Sequence, residues 1–250
     1  MIPELQLYQL TAAVLAIVTL GTVVATVRLP PRRRQYGLAC VVIAGSMGAA
    51  YVLMSVEFLT IQNVEGEWLP AARFGAYLIA FSAMLAFLTH VAGVGYRWMA
   101  LLIVLLVGVI GGTVTGWYFD EPISLAAAAV TVGCLTVQSV VLLRSIPARA
   151  TRVSDERRLL FGKLRNLGLL IWWLYIVVGL VSRQNLGLLD AFVGIFIGAY
   201  LDVVIVVGFV AILLRNGEAL DHLRTSELGD GPSDGDSDAA SEPVTPSPAE

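Results

Sequence analysis

Residues 201–216 read LDVVIVVGFVAILLRN. One carboxylate, Asp202, is followed by twelve residues without a charge before Arg215. Extended back to Leu188, the run Leu188–Leu214 exceeds the roughly 20 apolar residues that a membrane-crossing helix needs. A charge at such a depth is costly, so Asp202 marks a position to examine first.

Six more runs of this kind precede it: Leu7–Val27, Gln35–Val56, Ala71–Val91, Arg97–Trp117, Ile123–Leu143 and Lys163–Val181. Hydrophobic residues make up 57% of the 250 residues and charged residues 14%. The charged share is about half that of a soluble domain, so lipid must solvate much of the surface. The predicted fold class is an all-α integral membrane bundle of seven transmembrane helices.

Cation placement supports the count. Fourteen Lys and Arg fall on one side of the predicted spans: Arg28 and Arg32–Arg34, Arg97, the fifth-to-sixth connection, and Arg215 with Arg224. Only Arg73 and Arg183 fall on the other side. By the positive-inside rule the N-terminus is expected outside and the C-terminus in the cytoplasm of a multi-pass cell-membrane protein. The triplet Arg32, Arg33 and Arg34 could also meet anionic headgroups, though setting topology is role enough. The first span has no basic region before it and is read as a retained helix, not a cleaved signal.

Nine of the nineteen acidic residues lie between Glu218 and Glu250. Residues 1–216 are therefore read as the membrane domain. Residues 217–250 are read as an acidic tail, expected to be disordered from about Thr225 because it holds too little apolar surface to offset its ordering entropy. The long basic connection between the fifth and sixth spans is expected to extend both helices into the cytoplasm. With the tail, it would meet a cytoplasmic protein partner. No tandem repeat is evident.

Arg73 lies near the outer end of the third span and Asp202 near the middle of the seventh. Both are expected to face the interior, where pairing would relieve the desolvation of each. Such a pair serves equally as part of an ion or proton path or as a structural pin. Gly108, Gly112 and Gly116 recur every four residues and form a helix-packing face, within the monomer or in a homo-oligomer. Cys40 and Cys134 are read as small packing residues. His90, at the inner end of the third span, is read as an interfacial residue or, as the alternative, a proton-path residue, and His90 with His222 cannot form a metal cluster. No enzyme constellation, phosphate-cradling loop or metal site appears, so no catalytic residue is assigned and no nucleic-acid partner is expected.

Four segments resemble the archaeal microbial rhodopsins, the bacteriorhodopsin family. LDVVIVVGFVAILLRN resembles that family's LDVxxKVGFxxILL, and FGKLRNLGLLIWWLYIVV (Phe161–Val178) its KxLRNxxxxLWxxYPxxW. ARFGAYL (Ala72–Leu78) resembles ARYxDWL, and RQYGLACVVIAGSMGAAY (Arg34–Tyr51) matches in the placement of Tyr51. The resemblance implies a seven-helix retinal protein in which Arg73 matches the family's third-helix arginine, Asp202 its seventh-helix counter-ion, and Trp172 and Tyr175 its sixth-helix pocket aromatics.

The departures are as specific. Val206 stands where the resemblance implies the retinal-binding lysine. Lys163, the one lysine in the chain, begins the sixth span. Arginine cannot replace a lysine nucleophile because its guanidinium stays protonated. Ala76, Ala80 and Phe87 occupy the positions of the pump's acceptor aspartate, a threonine and the donor carboxylate. A proton relay needs titratable groups there. Tyr77 and Gly179 replace tryptophans, and Ile176 replaces the proline that promotes a kink in the sixth helix.

The leading expectation is thus a lysine-less opsin homologue: not an enzyme, not a light-driven pump, but a sensory, regulatory or interaction membrane protein. One alternative is non-covalent binding of retinal or another isoprenoid among Tyr77, Trp172, Tyr175 and Val206. Another is light-independent ion transport through Arg73 and Asp202. The arginine bias and acidic tail suit a salt-adapted archaeon.

Overall fold

The structure is a computed structural model that describes residues 4–62, 68–149, 153–182 and 186–216. The expected tail beyond residue 216, with His222 and Arg224, lies outside the described residues, as do Arg152 and Arg183.

Seven segments are long and apolar enough to cross a membrane. They are α1 (Glu4–Arg28), α2 (Arg34–Ser55), α3 (Ala71–Val91), α4 (Tyr96–Tyr118), α5 (Ile123–Val140) with its continuation, α7 (Asp155–Val181) and α8 (Ala191–Arg215). In hydrocarbon a backbone must satisfy its own N–H and C=O groups, and a helix does so within one segment. Threonines keep to the same economy. The Thr11, Thr19, Thr22 and Thr26 hydroxyls on α1 each donate to the carbonyl four residues back. The described residues thus bear out the expected seven-helix bundle.

Pro30 and Pro31 end α1, and a single 3-10 turn, Pro31–Arg33, leads into α2. Gly93, with φ +66°, turns the chain between α3 and α4, and its left-handed backbone is one that glycine adopts without strain. Asp190 caps α8 by accepting a 2.8 Å bond from the Val193 amide.

The sequence reading missed a two-stranded antiparallel hairpin. Strand β1 (Thr60–Gln62) pairs with β2 (Trp68–Pro70) in the register Thr60↔Pro70, Ile61↔Leu69, Gln62↔Trp68. The Ala71 amide bonds the Leu59 carbonyl at 2.9 Å and so ties the hairpin to the start of α3.

The fifth and sixth spans do run beyond their expected bounds. The fifth continues as a π-helical turn, Val141–Ser145, and then α6, Ile146–Arg149. Pro147 cannot donate to the carbonyl four residues earlier, and the wider turn just before it absorbs that loss. Helix α7 begins at Asp155, eight residues before the expected Lys163, with Asp155 and Glu156 complementing the helix dipole in its first turn. Arg157, buried near that start, donates to the Val91 and His90 carbonyls at 3.2 Å each and caps α3 from a neighbouring helix.

Half of the most apolar window of α8 is buried, against 17% for α4. Helices α2 and α3 are buried to the same extent as α8, so these three form the inner part of the bundle, and α4 is the least buried of the seven spans.

Candidate functional site around Asp202

The buried positions of α8 include Gly198, Ala199, Asp202, Val206, Phe209 and Leu213, spaced at helical intervals. One face of the helix therefore points into the bundle, and that face carries Asp202, which is 0% exposed.

Its carboxylate accepts five hydrogen bonds from three other helices. Oδ2 receives the Tyr51 hydroxyl from α2 at 2.5 Å, Arg73 Nε from α3 at 3.0 Å and Arg73 Nη2 at 2.8 Å. Oδ1 receives the Tyr77 hydroxyl from α3 at 2.8 Å and the Tyr175 hydroxyl from α7 at 2.5 Å. A carboxylate offers about four lone-pair positions, so this one is filled as an acceptor. Every partner donates, which is the arrangement an ionised carboxylate requires. The single Arg73 charge balances it at 2.8 Å.

Gly198 makes the pairing sterically feasible. A Cβ there would stand 2.6 Å from Arg73 Nη2. The sequence reading did not single out Gly198. Its spacing of four from Asp202, one helical turn, was the available signal.

An aromatic cluster continues from this hub. Tyr77 stacks on Phe81 with ring centroids 5.0 Å apart, and Phe81 meets Trp172 at 5.9 Å and Tyr175 at 6.4 Å. Tyr77 thus does two jobs: its ring packs and its hydroxyl binds Asp202. Phe81, which the sequence reading passed over, sits against each of the three aromatic pocket residues named from sequence. The Trp172 indole Nε1 is buried with no hydrogen-bond partner.

Val206 lies one turn beyond Asp202 and is fully buried. Ala76, Ala80 and Phe87 are also buried. Phe87 packs edge-on against Phe209 at 6.0 Å and against Tyr36 at 5.9 Å. Among the buried residues of α3 and α8, Asp202 is the one carboxylate, and none is a lysine or histidine. His90 is exposed at the end of α3. Lys163 is exposed in the third turn of α7, where it bonds the Asn216 side chain at 3.3 Å.

The glycine row faces α5. A Cβ on Gly108 would lie 2.7 Å from Cys134 Sγ, and one on Gly112 2.8 Å from the Ala127 carbonyl. Gly116 has more room, with Ser124 O at 3.6 Å. Thr131 sits at this contact and bonds the Ala127 carbonyl at 3.0 Å. Cys40 and Cys134 are both free thiols. Among the described residues no group of three or more His, Cys, Asp or Glu could hold a metal.

A family model described as bacteriorhodopsin-like protein matches residues 4–218. The chain belongs to the bacteriorhodopsin-like family. It is 31% identical to sensory rhodopsin-2 of Haloarcula vallismortis over 187 residues, 74% of this chain and 79% of that protein. It is 30% identical to a bacteriorhodopsin of Haloterrigena sp. (strain arg-4), over 73% of this chain and 71% of the other. The thermophilic rhodopsin of Rubrobacter xylanophilus shares the fold with a TM-score of 0.83 at 21% identity, covering 89% of this chain and all of that one. These relatives include a sensory rhodopsin and a bacteriorhodopsin, and this family member is, like its family, a multi-pass, seven-helix membrane protein.

Proposed function

We propose that this bacteriorhodopsin-like chain has left covalent retinal chemistry and light-driven pumping, and serves as a sensory, regulatory or interaction protein of the membrane. The observation that carries this reading is the filled Asp202 carboxylate, with an apolar Val206 one turn away. The family resemblance implies a protonated lysine there, with Asp202 as its counter-ion. Here Arg73 supplies the compensating charge directly. The chain's own side chains therefore complete the electrostatics of the site without a chromophore.

The retinal expected from the resemblance does not fit as a covalent group. Its attachment needs a primary amine facing the interior, and Lys163 is exposed on the outside of α7. Pumping needs a buried group that can take up and release a proton, and Ala76, Ala80 and Phe87 cannot. We read the arginine-rich end of the bundle as cytoplasmic, from the fourteen-to-two bias of cations. Partners would then meet the connection around α6 and the start of α7.

A second reading, non-covalent binding of retinal or a related polyene, draws support from the Trp172 Nε1 atom, buried without an acceptor. A ligand oxygen or a water there would satisfy it. Ion transport through Arg73 and Asp202 is weaker, because each group is already the other's partner.

The test is chemical trapping. The purified protein is incubated with all-trans-retinal, treated with borohydride and weighed intact. The proposal expects no stable adduct on an interior residue. An adduct mapped inside the bundle would refute it.

A further inference from the structure

The helix ends divide the bundle electrically. At one end stand Arg28, Arg34, Arg97, Arg144, Arg149, Arg158, Lys163, Arg165 and Arg215, accompanied among the described residues by two acids, Asp155 and Glu156. The other end carries Glu4, Glu57, Asp120, Glu121 and Asp190. The basic end is a fixed surface. Arg157 fastens the start of α7 to the end of α3, and the Arg149 guanidinium lies 4.5 Å from the centre of the Trp98 ring. Arg144, Arg158, Lys163 and Arg215 are exposed on that surface.

The chain that follows has the opposite sign. Residues 217–250 hold nine carboxylates and one arginine. They begin at the basic surface itself, since Asn216 accepts from Lys163 Nζ at 3.3 Å. An extended chain covers about 3.3–3.6 Å per residue, so even ten residues can cross the end of the bundle. Tethering of this kind gives a local concentration on the order of millimolar, so weak charge pairing suffices for occupancy.

We propose that the acidic segment 218–242 docks on the basic end of its own bundle and covers Arg144, Arg158, Lys163 and Arg215 against other anions. The partner that this surface fits is therefore the chain's own carboxylate-rich segment. Anionic lipid headgroups and acidic proteins would have to displace it.

Because Lys163 is the one lysine in the chain, zero-length carbodiimide coupling reads this contact at a single side-chain amine. The full-length protein is treated at about 50 mM salt, and the coupled peptides are identified by mass spectrometry. Docking predicts amides from Lys163 to carboxylates in the stretch Asp230–Asp238, with a yield several-fold lower at 1 M salt, where the Debye length falls to about 3 Å. Coupling confined to Glu218 and Asp221, which nearness along the chain alone would give, would overturn the proposal. So would a yield indifferent to salt. A mixture of isotope-labelled and unlabelled protein separates the remaining case: hybrid-mass products would show one copy covering another and would equally overturn an intramolecular cover. Lys163→Arg controls for the chemistry and should abolish every such product.

Discussion

Arg73 and Asp202 stand 129 positions apart in the chain and 2.8 Å apart in the bundle, where they form a buried ion pair with the arginine side chain 15% exposed and the aspartate fully buried. Breaking one side of such a pair strands the other charge, which costs about 3–5 kcal/mol, whereas replacing both with apolar residues is often close to neutral. Asp202→Asn should therefore lower the thermal midpoint in detergent sharply, and Arg73→Met with Asp202→Asn, which removes the stranded charge but keeps an acceptor for the tyrosine hydroxyls, should recover part of the loss. Equal losses in the two proteins would show that the pair is not the source.

Tyr77 contributes a ring and a hydroxyl, and two substitutions separate them. Tyr77→Phe keeps the stack on Phe81 but removes a donor to a charged acceptor, a loss of about 1.5–3 kcal/mol. Combined with Asp202→Asn, the losses should be clearly less than additive, because the hydroxyl's partner has already changed. Additive midpoints in the double-mutant cycle would remove Tyr77 from the hub.

The glycine row gives a graded test. At Gly112 a new methyl would meet the backbone carbonyl of Ala127, which cannot swing away, whereas at Gly116 the nearest atom is 3.6 Å distant. Gly112→Ala should cost about 1–3 kcal/mol by overpacking, and Gly116→Ala should change stability little. Thermal unfolding of the two variants beside wild type checks the order, and the reverse order would contradict the α4–α5 contact.

Val206→Lys adds a second cation one turn from a carboxylate that already has one. Val206→Lys alone should destabilise the bundle, since the added charge has no counter-ion of its own. Val206→Lys with Arg73→Gln restores the balance and should regain stability. Size-exclusion profiles and thermal midpoints of the single and double variants measure this, and no rescue would mean that steric fit rather than charge decides the position.

The number of spans was legible from sequence because two independent patterns, apolar run length and cation placement, carry it. Helix ends were less so: α7 starts at Asp155, where polar residues leave no hydrophobic signal and only a Ser-Asp-Glu start marks the helix. The hairpin between α2 and α3 was invisible because three-residue strands carry almost no periodicity. At the site, Arg73 and Asp202 announced themselves as charges in apolar runs. Phe81 and Gly198 did not, because an apolar side chain and a missing one look ordinary in a membrane helix. Their roles exist only once α3, α7 and α8 are packed together.

The proposed function requires an interior without an attachment point for retinal and an Arg73 that already answers the charge of Asp202. The most direct measurement is a visible-absorbance titration of the purified wild-type protein with all-trans-retinal, followed by tryptophan fluorescence. The retinal band should keep the position of the free aldehyde, whether or not fluorescence is quenched saturably. A strongly red-shifted band that develops with the protein would demonstrate a protonated Schiff base and would contradict it.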